Sequence, residues 1–86
     1  MIMKTYKIRI VKLNKPSKYK YHVLSVSFDK KYQYFIIKTK IYQHTIIETI
    51  SSTECDYIEI YDEESVIYGR FSGLTDDKPL KVIQHE

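Results

Sequence analysis

Apolar and polar positions alternate with a period of two along most of this chain. Near its start Tyr6, Ile8 and Ile10 fall on one face, and Thr5, Lys7 and Arg9 on the other. That period predicts a half-buried strand over residues 4–13. Asn14-Lys15-Pro16-Ser17 is a turn cluster. Residues 18–29 read as a second strand, with Leu24, Val26 and Phe28 opposite Tyr21, Val23, Ser25 and Ser27. The small serines imply cover on both sides. Asp29-Lys30-Lys31 is a short polar connection suited to a hairpin. The third strand, residues 32–42, sets Phe35, Ile37, Thr39 and Ile41 against Tyr34, Ile36, Lys38, Lys40 and Tyr42.

Residues 43–54 support two readings. Ile46, Ile47 and Ile50 have helical spacing, and Thr45-Ile46-Ile47-Glu48 fits a capping box. The run of β-branched residues favours a fourth strand instead. Further on, residues 56–61 alternate Ile58 and Ile60 with Tyr57, Glu59 and Tyr61. A turn at 62–65 leads to a return strand over 66–72, so the two form a predicted hairpin. A second turn at 75–79 precedes a short edge strand at 80–83. The expectation is an all-β single domain over residues 1–86, a small antiparallel barrel or sandwich of six to seven short strands. The alternative is α+β with a short helix at about 45–53.

Composition agrees with the pattern. Thirteen Ile and nine Tyr favour strands, and Ala, the best helix former, is absent. The excess of Lys, Ile and Tyr also follows from A/T-rich coding, as in low-GC bacteria and their phages or plasmids. One cysteine, Cys55, excludes an intrachain disulfide and predicts a reducing, cytoplasmic setting. Charges interrupt the N-terminal stretch too often for a secretory leader, and no uncharged run approaches the roughly 20 residues of a membrane span.

Charge changes the picture most. Residues 1–44 hold eleven of the fourteen Lys and Arg residues and one acid, Asp29; residues 45–86 hold the other three bases and ten acids. Formal charges of +10 (11 − 1) and −7 (3 − 10) therefore lie behind a net +3.

Two stretches could carry function through this sorting. The basic, tyrosine-rich run over 15–42 supplies Lys18, Lys20, Lys38 and Lys40 to neutralise phosphates, and Tyr34 and Tyr42 to stack on bases. The acidic run over 54–64, with Asp56, Glu59, Asp62 and Glu63, could dock on a basic, nucleic-acid-handling protein, as small inhibitors or adaptors of phages and mobile elements do. A solvated sheet face is the ordinary reading of either stretch. A third reading makes the sorting structural, with acids facing lysines across neighbouring strands. Opposite faces of two copies could also meet in a homo-oligomer.

Catalysis has little support. Cys55 lies between Glu54 and Asp56, which oppose a thiolate, and reads as a buried structural thiol. His22, His44 and His85 fit no ligand spacing, and glycines only at 69 and 73 exclude a phosphate loop. The expectation is a non-enzymatic binding module without metal or cofactor, acting on nucleic acid or a charged protein and not on a membrane.

Overall fold

The structure is a computed structural model that describes residues 4–63 and 78–85. Six strands follow one another: β1 (Tyr6–Val11), β2 (Lys18–Asp29), β3 (Tyr34–Ile41), β4 (His44–Ser51), β5 (Tyr57–Asp62) and β6 (Lys81–Gln84). They form one sheet in the order β4-β3-β2-β1-β5-β6, and every pair is antiparallel. The all-β expectation holds, and residues 44–51 are strand and not helix. Five β-branched residues lie between His44 and Ser51, and their side chains fit a pleated surface better than a helical turn. The predicted return strand over 66–72 and the turn residues 75–77 lie outside the described residues.

Among the described residues the sheet is open and does not close into a barrel, one of the two expected forms. Strands β1 to β4 form a meander, but β5 returns to the far side of β1, which leaves β4 and β6 as the edges among the described residues. Curling supplies the enclosure. Ile8, Ile10, Val23, Phe35, Ile37 and Ile58 are buried on one inner face, together with Cys55. Val26, Phe28, Ile50, Ile60 and Ile83 pack around them. His85, beyond β6, reaches across this face to within about 6 Å of the Phe28 and Phe35 rings, which themselves meet edge-on at 4.9 Å. Each fully buried Ile or Phe contributes roughly 1.5–3 kcal/mol, so this cluster is the main stabilising element.

Strand β2 bends by carrying extra residues. Tyr6 pairs with Val23 but Ile8 with Lys20, and Val23 pairs with Thr39 but Ser25 with Lys38. Each shift is a bulge, which re-aims side chains and adds twist. His22 accommodates the first with a φ of 59°. The bulges correct the expected facing: Val23 joins Val26 and Phe28 in the core, and Leu24 does not. Ser25 and Ser27 are exposed, so the expected cover on both sides of β2 is absent and their small size reflects an open face. The β2–β3 connection also extends further than predicted, through Gln33 (φ 57°), with Asp29 accepting from the Lys31 and Tyr32 amides.

Candidate functional site

Strand β1 lies between the basic β2 and the acidic β5, so the charge sorting becomes contact in space. Arg9 stands directly opposite Glu59, with Nε 2.5 Å from Oε1. Lys4 meets Asp62 and Lys12 meets Asp56, each at 3.6 Å. His22 Nδ1 lies 2.6 Å from Glu63, whose other oxygen accepts from the Thr5 hydroxyl. Lys20 reaches across the inner face to Glu48 at 2.7 Å. All four acids of the candidate protein-docking run are therefore engaged by the chain's own first half.

The local electrostatics follow from these contacts. Burial alone would lower the Arg9 pKa, but the hydrogen bond and charge of Glu59 outweigh it and the net shift is upward. The Leu13 amide donates to Asp56 at 2.6 Å, and with Lys12 nearby this holds the Asp56 carboxyl below its usual value. Burial pushes the Cys55 thiol up to about 11, which suits an inert group. Its Sγ donates to the Tyr57 carbonyl at 3.4 Å. Among the described residues no three His, Cys, Asp or Glu side chains converge to hold a metal. None of those residues forms a helix long and apolar enough to cross a membrane.

The six basic and aromatic candidates do not share one surface. Lys18 and Lys20 pair with Ile10 and Ile8 and so point to the inner side. There they line an open cleft of about 950 Å³ with Lys12, Lys15, Glu48 and Glu54. The acids and the Lys20–Glu48 pair moderate its positive charge. Tyr34, Lys38 and Lys40 lie on the outer face of β3. Tyr42 is the first residue of the two-residue β3–β4 turn, 90% exposed, with φ 55°.

The outer face of β2, β3 and β4 has a consistent chemistry. Register places Ser25, Ser27 and Asp29 of β2 and Thr45, Ile47, Thr49 and Ser51 of β4 beside Tyr34, Ile36, Lys38 and Lys40. Asp29 is its one acid, and that carboxylate is occupied by the turn amides. Neither Lys38 nor Lys40 forms an ion pair with any described residue. At the turn end, the Tyr32 and Tyr34 rings lie 5.9 Å apart and Lys31 Nζ sits 5.2 Å from the Tyr32 ring. Lys31 and Tyr32 are additions to the expected set. Their place in the basic run was visible, but the turn that brings them beside Tyr34 was not.

No protein family, curated protein or solved structure matches this chain.

Proposed function

We propose that this protein is a non-enzymatic binding module that contacts nucleic-acid backbone through the outer face of β2, β3 and β4. One observation carries the reading: the described acids on and beside β5 pair with Lys4, Arg9, Lys12 and His22, and Glu48 pairs with Lys20 on the inner side, leaving Lys38 and Lys40 unopposed on a hydroxyl-rich face. Lysines neutralise phosphates and release counterions, while Ser and Thr hydroxyls donate to phosphate and sugar oxygens. Tyr32 and Tyr34 offer ring faces to unpaired bases. The face carries no Arg, the residue favoured for reading base edges, so binding is independent of sequence.

The test is fluorescence anisotropy with single- and double-stranded oligonucleotides at low salt. Contact of Lys31, Lys38 and Lys40 with about three phosphates gives a log–log salt slope of roughly −2 on single strands and −2.7 on duplex. The double variant K38E/K40E weakens binding by at least about tenfold. K18E, on the inner cleft, leaves it nearly unchanged. No anisotropy change with micromolar oligonucleotide, or equal loss in K18E and K38E/K40E, refutes the assignment. The alternative, docking of the acidic run on a basic protein, draws less support because Asp56, Glu59, Asp62 and Glu63 already have partners within the chain.

A further inference from the structure

The two edges of the sheet differ. Strand β6 has four residues, begins with Lys81 and follows Pro79 closely, features that discourage further pairing. Strand β4 has eight residues in uninterrupted register with β3, with no Lys, no Pro and no bulge. Its outer side is unpaired among the described residues. The alternation of the ladder fixes which groups face outward. The Ser52 amide donates to the Gln33 carbonyl at 3.0 Å, so even-numbered β4 residues bond to β3. The odd-numbered ones, Thr45, Ile47, Thr49 and Ser51, therefore present N–H and C=O groups outward.

We propose that β4 pairs with β4 of a second copy of this chain, antiparallel, on a two-fold axis through Ile47. Self-complementarity selects this occupant. A two-fold axis perpendicular to the sheet keeps inner side chains with inner ones, so it must pass through a residue. Only Ile47 or Glu48 on the axis gives the longest overlap. Glu48 would oppose itself, and like charges directly opposite are destabilising. Ile47 on the axis sets Ile47 against Ile47 and Thr45 against Thr49, and every such pair uses outward-facing backbone groups. Glu48 then faces Ile46 of the partner copy, with its charge already matched by Lys20.

Long-range charge does not prevent this pairing. The two Lys38 residues stand three strand spacings apart, about 14 Å, beyond the ~8 Å screening length at physiological salt. The dimer therefore persists or strengthens as salt rises. An assembly of oppositely charged faces would dissociate instead. The pairing joins two outer faces into one surface, but it does not depend on the nucleic-acid reading.

Sedimentation of the full chain from low micromolar to submillimolar concentration, at low and high salt, reads the association directly. The expected result is a dimer that survives high salt. Ile47 is 61% exposed, so Ile47→Lys leaves the monomer folded by circular dichroism. It weakens the dimer by about tenfold or more by placing like charges on the axis. Cross-linking then checks the register. Ile47→Cys places two thiols on residues about 5.5 Å apart at Cα, within disulfide range, and oxidised glutathione joins them. Thr45→Cys or Thr49→Cys alone does not cross-link, because each would lie about 14 Å from its own copy. Mixing those two variants does. A chain that stays monomeric at every concentration, or a dimer that Ile47→Lys leaves intact, overturns the proposal. Equal cross-linking at 45, 47 and 49 overturns the register.

Discussion

Replacing Arg9 by Met tests whether the sorted charges hold β1 to β5. The Arg9 and Glu59 side chains are 26% and 13% exposed, so this pair is neither a solvated surface bridge nor a dry one. Exposed pairs contribute roughly 0.2–1 kcal/mol, whereas breaking a buried pair by removing one partner costs about 3–5 kcal/mol. In Arg9→Met the Glu59 carboxylate keeps, among the described residues, the Tyr61 hydroxyl, at 3.1 Å, as its side-chain donor. An intermediate loss of about 2–3 kcal/mol follows. Glu59→Met costs less, about 1–2 kcal/mol, because the more exposed guanidinium retains water and Tyr19. The double variant restores part of the loss by removing both charges together. A double-mutant cycle by urea unfolding should give a coupling of about 1–2 kcal/mol that high salt reduces only modestly. A coupling below about 0.5 kcal/mol would refute the reasoning, since the two residues would then act independently across the strand pair.

Three further outcomes are expected. The Asp56 carboxyl is depressed in the fold, so its contribution is present above the ordinary carboxylate pKa and is lost as pH falls through the folded value. Urea midpoints between pH 5 and 2, about the range over which carboxylates titrate, should fall less steeply for Asp56→Asn than for the parent; coincident slopes would exclude this role. With its pKa near 11, Cys55 is roughly one-thousandth thiolate at pH 8, so iodoacetamide should label it slowly in the fold and quickly in urea. Labelling of the native chain at the rate of an exposed thiol would contradict its burial. Finally, Thr39 Oγ1 is buried with no hydrogen-bond partner among the described residues. Thr39→Val should therefore stabilise the protein by about 1 kcal/mol in urea unfolding, and a loss of that size would show that the hydroxyl is satisfied.

Strand identity was legible wherever alternation was strict. The inner faces of β1, β3 and β5 appear in the sequence as Ile8 and Ile10, Phe35 and Ile37, and Ile58 and Ile60; all of these are buried except Ile60, which is half-buried against the core. Strand β2 misled because alternation assumes one residue per pleat, and two extra residues moved Val23 inward. Residues 44–51 were ambiguous because a capping box is local, whereas the strand forms through its ladder with β3. Partner choice was not legible at all. Nothing in the spacing says that β5 skips past β4 to join β1. Nor does it predict that Lys7, opposite Tyr61, is buried on the outer face. The candidate basic set divided for the same reason: Lys18 and Lys20 belong to the inner side of β2, and Lys38 and Lys40 to the outer side of β3.

The charge sorting also answers a problem that alternation leaves open. A one-residue slip between β1 and β5 would turn Ile58 and Ile60 out of the core, so the apolar pattern excludes it. A two-residue slip would not, because every side chain would keep its face and one Ile–Ile pair, Ile8–Ile58 or Ile10–Ile60, would remain. The ion pairs distinguish these registers. Arg9–Glu59 and Lys12–Asp56 stand directly across the pair, and a slip by two in either direction separates both at once. The strands lie some fifty residues apart in sequence, as the Arg9–Glu59 contact shows, so their register receives no help from a tight turn. Acids placed on β5 to fix that register are absent from the outer face of β3. The positive surface around Lys38 and Lys40 is in that sense the complement of the β1–β5 junction. Reversing Lys38 and Lys40 should therefore change ligand binding with little effect on stability, while Arg9→Met should do the opposite.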